Sequence, residues 1–221
     1  MKQKTILITG ATGGIGQGIA KYFNERDFRV VGVDHIEPKD NQYIDDFVLL
    51  DLNSYCSNEQ YRQELSTVLL EKCESLDALI NNAAVQLLDS LEDLVLKDWQ
   101  TTLNVNLTAP LLLSQLFLSK LQDSKGSIVN IGSIHQQLTK PEFISYATSK
   151  SALIGLTKSM AVDLKGKVRV NAISPAAIST DMLLAGFNGD QSSLEKLKNL
   201  HPTQSIGKPE DVAKLVFFLV G

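Results

Sequence analysis

Thr9-Gly10-Ala11-Thr12-Gly13-Gly14-Ile15-Gly16 ends a short strand-like run, Lys4 to Thr9, and opens a helical stretch from Gly14 to Glu25. Glycines 10, 14 and 16 give the spacing GxxxGxG. Glycine tolerates positive φ and lets the backbone come close to a ligand, so a pyrophosphate can reach the amides at a helix start. A glycine turn between a first strand and a first helix is the phosphate loop of a dinucleotide-binding fold. Gly10, Thr12, Gly14, Ile15 and Gly16 are its expected cofactor contacts.

Outward from that loop, strand-like and helix-like segments alternate. Arg29 to Asp34 reads as the second strand, Phe47 to Leu50 as the third, Asp77 to Asn81 as the fourth, Ser127 to Ile131 as the fifth and Val168 to Ile173 as the sixth. Between them, Ser57 to Glu74, Trp99 to Leu121 and Tyr146 to Leu164 carry apolar residues at helical spacing, and Pro209 suits a first helical position. Pro110 falls inside the second of these helices and should bend it or break one backbone hydrogen bond. Continuous apolar strands alternating with helices predict a doubly wound, parallel α/β sheet of three layers in a single domain spanning 1–221.

Asp34 closes the second strand, where a carboxylate can accept hydrogen bonds from ribose hydroxyls and repel a 2′-phosphate. No Arg or Lys stands at Gly13 or His35, so NAD is expected over NADP. Tyr146 and Lys150 lie four apart on one helix face. An ammonium about 5 Å from the phenol would favour the phenolate by roughly 3 kcal/mol at an effective dielectric of about 20, bringing a tyrosine toward the range of a general acid–base.

With TGATGGIG at 9–16, NNAA at 81–84, NVNL at 104–107, IGS at 131–133, YATSK at 146–150 and SPAAIST at 174–180, the chain resembles the short-chain dehydrogenase/reductase family in its single-domain branch. The resemblance implies an oxidoreductase that moves a hydride between NAD(H) and a small alcohol or carbonyl substrate. It makes Tyr146 the acid–base and Lys150 the group that lowers its pKa and holds the nicotinamide ribose. Ser133 would polarise the reacting oxygen, and Asn106 would hold a water that links Lys150 to solvent. Asp51 and Leu52 would meet the adenine, Asn82 and Ala83 the adenosine ribose side, and Pro175, Ile178 and Thr180 the carboxamide end. Blander roles exist for two of these: Asn106 could bridge backbone groups in a bent helix, and Ser133 could end a strand. Ser133, His135 and Tyr146 are the expected substrate contacts, with Gln136, Phe143 and a lid over 182–202 around them.

Two departures from the family pattern stand out. Ala176 occupies the place of a usual glycine, which would add strain if that position needs positive φ. The chain also reaches Gly221 without the last strand that family members carry there. The alternatives weighed are a non-catalytic NAD sensor, which would be expected to lose Tyr146 or Lys150, and a nucleotide-sugar epimerase or dehydratase, which would need an added substrate domain.

Composition narrows the partners. A net charge of −4 argues against a nucleic-acid partner. The longest apolar run, Leu215 to Val220, is too short for a membrane span, and the first residues lack the core of a signal peptide. Cys56 and Cys73 read as free thiols of a cytoplasmic protein, and no metal is expected. Surplus apolar positions on the second and third long helices (Leu112, Leu113, Leu116, Phe117 and Leu121, then Leu153, Leu156, Met160 and Val162) predict a homodimer or homotetramer.

Overall fold

A computed structural model describes residues 3–39, 42–187 and 190–221. Six strands, β1 (Thr5–Thr9), β2 (Arg29–Asp34), β3 (Asp46–Leu49), β4 (Ala78–Asn81), β5 (Ser127–Ile131) and β6 (Arg169–Ile173), form one parallel sheet in the order β3-β2-β1-β4-β5-β6. Successive residues of a strand point to opposite faces. In β1, Ile6 and Ile8 face one core and Leu7 the other, each fully buried. Both faces are therefore covered, as the unbroken apolar strands require.

On one face lie α1 (Gly14–Asn24) and α10 (Pro209–Val220), whose Ile19, Phe23, Val212 and Val216 pack with Ile6, Ile8 and Ile80. Close approach of these helices depends on Gly18, because a Cβ there would stand 2.7 Å from Pro209 Cβ. The opposite face carries α2 (Leu52–Ser57), α3 (Glu59–Lys72), α4 (Leu96–Leu103), α5 (Ala109–Leu116), α6 (Leu118–Asp123) and α7 (Ile144–Asp163). Tyr55, Leu69, Leu113 and Met160 from these helices, with Phe117 between α5 and α6, pack over Leu7, Val31, Leu79 and Ile128. Two short helices, α8 (Asp181–Ala185) and α9 (Gln191–Leu200), follow β6. Among the described residues no helix is long and apolar enough to cross a membrane.

Most strand boundaries fall within a residue of expectation; the helices differ more. The stretch expected as one helix from Ser57 begins anew at Glu59, because the Asn58 side chain accepts the Tyr61 N–H at 3.1 Å and caps α3. Before it, Asp51 caps the unexpected α2. The helix expected from Trp99 to Leu121 is broken twice. Asn104–Thr108 form a widened π turn just ahead of Pro110, and Phe117 separates α5 from α6. Proline has no N–H for the carbonyl four residues earlier, and a widened turn relieves the clash of its ring with that carbonyl.

Much of the apolar surplus expected to need a partner is covered within the chain. Leu113, Phe117, Leu121 and Leu153 are fully buried, while Leu112, Leu116, Leu156 and Met160 are half-buried. Val162 remains 78% exposed. On α10, Phe217 packs against the Tyr22, Phe23 and Phe28 rings, whereas Phe218 is 76% exposed.

Candidate functional site

Strand order reverses between β1 and β4, and the crevice at the carboxyl ends of such strands is where doubly wound sheets bind ligands. The phosphate loop leaves β1 there. Gly10 has φ +65°, in the region that favours glycine. A Cβ on Gly16 would lie 2.0 Å from Gly10 O, so the loop folds this tightly only with glycine there. Gly13, the N-cap of α1, offers no side chain to its first amides. Those amides, with the positive end of the helix dipole, suit a pyrophosphate.

Around this loop the expected dinucleotide contacts converge, joined by one residue that sequence reasoning passed over. Thr9 Oγ1 accepts the N–H groups of Asn82 and Ala83, both at 3.1 Å. Asn82 Nδ2 donates to the carbonyls of Thr9 and Gly10, both at 3.0 Å. Thr180 meets the loop from the far side, since a Cβ on Gly14 would approach Thr180 Cγ2 to 2.8 Å. Ile178 is held by its bridge to Gly207, and the Pro175 carbonyl accepts the Ile134 N–H at 3.0 Å. Ala176 is not among the residues with positive φ, so the strain anticipated there is absent. Asp51 accepts from Asn53 N at 3.0 Å and Ser54 Oγ at 2.7 Å, placing exposed Asp51 and buried Leu52 at the head of α2, beyond the end of β3.

Asp34 ends β2 beside the loop. Its Oδ2 accepts Thr12 N at 3.0 Å and Thr12 Oγ1 at 2.6 Å. Oδ1 accepts His35 N at 2.8 Å and contacts His35 Nδ1 at 2.8 Å.

At the end of β5 the reactive groups gather. Ser133 and Tyr146 are both buried, and the serine hydroxyl is near enough to the phenol to favour its ionised form. Ser133 Oγ also accepts His135 N at 3.2 Å, capping a short 3-10 turn over Ile134–Gln136. Lys150, one turn along α7 from Tyr146, is only 2% exposed and donates from Nζ to Ile131 O at 2.8 Å. Its Nζ stands 5.8 Å from the centre of the Tyr146 ring. Burial pulls the Lys150 ammonium down to about 8 and pushes the Tyr146 phenol up, the Ser133 hydroxyl opposing the latter. The expected lowering of the phenol by the lysine is thus not what this geometry produces. Desolvation disfavours charge on either group.

Asn106 sits in the π turn and takes the bridging role. Its Oδ1 accepts Val85 N at 2.9 Å, and Nδ2 donates to Val85 O and to Ser149 Oγ, both at 3.0 Å. Ser149 Oγ donates onward to Tyr146 O at 2.7 Å, tying the π turn to the first turns of α7. Ser149 was not singled out from the sequence; its place within YATSK was the available signal. Beside Tyr146, the His135 and Phe143 rings lie 4.6 Å apart, and His135 Nδ1 contacts Leu138 O at 3.0 Å. Gln136 turns away to donate to Ser174 Oγ at 2.9 Å.

A phosphate loop and a Ser–Tyr–Lys cluster at the carboxyl ends of one parallel sheet define a dinucleotide-dependent oxidoreductase. The model for short chain dehydrogenase matches residues 4–189, and the chain belongs to that family. Glucose 1-dehydrogenase 2 of Bacillus subtilis (strain 168) is 30% identical over 98% of this chain and 87% of its own length. Among solved structures, ElxO with NADP bound is similar at 30% identity and a TM-score of 0.86, covering 100% of this chain and 92% of that one. The 4-hydroxyisoleucine dehydrogenase complexed with NADH matches at 34% identity and a TM-score of 0.85, over 98% of this chain and 90% of that one. The chain is an oxidoreductase of the NAD(P)-dependent dehydrogenase/reductase type.

Proposed function

We propose that this dehydrogenase/reductase uses NAD(H) and interconverts a small alcohol and its carbonyl compound, with Tyr146 as the acid–base. Buried Tyr146, one turn along α7 from buried Lys150 and close to buried Ser133, carries that reading. The nicotinamide, when bound, supplies the hydride acceptor or donor. Ser133 hydrogen-bonds the reacting oxygen; in oxidation the Tyr146 phenolate takes the alcohol proton, and in reduction the Tyr146 hydroxyl gives a proton to the carbonyl oxygen. Lys150, easily deprotonated because it is buried, would hold the nicotinamide ribose and supply or receive the proton that Tyr146 exchanges. Asn106 would contribute through its backbone carbonyl, which Pro110 deprives of the ordinary helical donor, leaving it able to accept from the expected water.

His135 has a definite tautomer, since a carbonyl only accepts and Nδ1 must therefore carry the proton given to Leu138 O. Burial lowers its pKa and favours the neutral ring, leaving Nε2 as an acceptor for a substrate hydroxyl beside Tyr146. Helices α8 and α9 form the lid over that pocket. Asp190 caps α9, Leu200 lies in solvent at its end, and Asn188 and Gly189, within the expected lid, fall outside the described residues. Exposed Val162 on α7 and Phe218 on α10 are the faces that pairing of copies into a dimer or tetramer would cover. The free thiols Cys56 and Cys73 suit a cytoplasmic, reducing setting.

Tyr146→Phe is the direct test. It removes the ionisable hydroxyl and little volume, so kcat should fall by about a hundredfold to ten-thousandfold. NADH binding, followed by nicotinamide fluorescence, should stay near wild type. Turnover retained in that variant would refute the assignment.

A further inference from the structure

A carboxylate offers two oxygens and about four acceptor sites. In Asp34 all four are taken, by Thr12 N, Thr12 Oγ1, His35 N and His35 Nδ1. The acceptor must receive a proton from the ring, so Nδ1 of His35 carries it here as well. A ribose hydroxyl that is to donate to Asp34 must therefore displace one of these donors.

The four are not equally displaceable. Thr12 N belongs to the backbone of the phosphate loop, and His35 N to the residue that follows β2; neither leaves without moving the fold. The Thr12 hydroxyl sits half-buried on a short side chain and makes the shortest of the contacts, at 2.6 Å. The imidazole differs, since the His35 side chain is 70% exposed while that of Asp34 is 7% exposed. Rotation about its own side-chain bonds releases the ring into solvent at no packing cost, and it alone can be exchanged for a ribose hydroxyl.

We infer that His35 is a specificity-determining residue, a displaceable cap on Asp34 that competes with the ribose diol of NAD(H) and shields the carboxylate from the 2′-phosphate of NADP(H). Its effects on the two dinucleotides are opposite in sign. Toward NAD(H), the ring N–H must be lifted off Oδ1 before the 2′-hydroxyl can donate there, so the histidine weakens binding. Toward NADP(H), the ring N–H stays on Oδ1, draws off the negative potential that would repel the phosphate, and so improves binding. A chain with an aspartate at the end of β2 is thereby left less strict about its cofactor than the carboxylate alone would make it.

The inference rests on the reading of Asp34 as the ribose acceptor, and two variants separate the two. Purified wild type, His35→Ala and Asp34→Ala are titrated with NADH and with NADPH, following nicotinamide fluorescence. His35→Ala should tighten NADH and weaken NADPH, each by about three- to tenfold, the scale of one partly exposed hydrogen bond to a charged group. His35 makes no core contact that its loss would disturb, and a role in holding the loop alone would move both affinities the same way. Shifts in the same direction, or none, with Asp34→Ala still weakening NADH, overturn the cap while leaving the ribose acceptor in place. Unchanged NADH and NADPH affinities in Asp34→Ala overturn both.

Discussion

Asp34 and Lys150 are both nearly removed from solvent, stand at opposite ends of one crevice and carry opposite charges, yet they are held in contrary ways. Asp34 has four donors on its two oxygens. Lys150 has one acceptor among the described residues, the Ile131 carbonyl. Burying a charge is costly unless its hydrogen-bonding capacity is filled. Asp34 meets that condition. Lys150 does not, and burial draws it down to about 8, where its proton is readily given up. The fully satisfied group suits recognition, and the under-satisfied one suits proton transfer.

Removing the lysine is the most drastic way to break the contrast. In Lys150→Met, kcat should fall by about a hundredfold or more, in line with the loss of a proton-transfer partner. The same variant reads out the burial of the charge through stability. Below about pH 8 the lysine is protonated whether folded or not, and the full cost of burial is present. Between about 8 and the ordinary lysine value the unfolded chain binds more protons than the folded one, so stability rises with pH. That gain should reach about 3 kcal/mol when complete. It appears as the difference between wild-type and Lys150→Met denaturation curves measured across pH 7 to about 10.5, in which the other titrating groups cancel. A difference that stays flat would mean that Lys150 is not a strained charge.

At the other end, Asp34→Ala should weaken NADH by about ten- to a hundredfold, the scale of a lost hydrogen bond to a charged group. NADPH should lose less, narrowing the gap between the cofactors, as parallel titrations would show. Undiminished NADH binding would leave Asp34 a structural acid for the loop. The mildest perturbation is Ser149→Ala. Asn106 keeps both bonds to Val85 and loses only the Ser149 contact, so stability should drop by about 1 kcal/mol and kcat/KM should change less than about threefold. A larger fall in kcat/KM would show the Asn106–Ser149–Tyr146 chain to be part of the reaction machinery.

The same two residues show how far a sequence speaks. Their presence, order and approximate setting were readable, because the loop glycines, the strand-end acid and the tyrosine–lysine spacing are local patterns on elements that hydrophobic periodicity defines. What each group bonds to was not. The Ile131 carbonyl and the Thr12 amide are backbone atoms, identical in every residue, and only the tertiary fold aims them. For that reason the expected lowering of the Tyr146 phenol gave way to a rise: sequence spacing reveals the charge neighbour and not the depth of burial. The start of α3 after Asn58 lies two residues past the expected Ser57, although an Asn before a helical run is a capping signal. Pro110 did announce a disturbance, but the widened turn before it packs against α2 and α7, neighbours that only the tertiary fold supplies.

The strand order also bears on how the chain acquires its shape. β1, the first strand made, lies in the middle of the sheet. Its Thr5 pairs with Arg29, whereas Ile6 on its other side pairs with Ala78, across a loop three times as long. Loop-closure entropy makes the second pairing costlier by about 1 kcal/mol. In kinetic terms the seam between β1 and β4 closes late, after the β1–β2–β3 half has its own local contacts. The crevice opens on that seam, so the nascent chain holds the acid of β2 in place well before it can assemble a site that reacts.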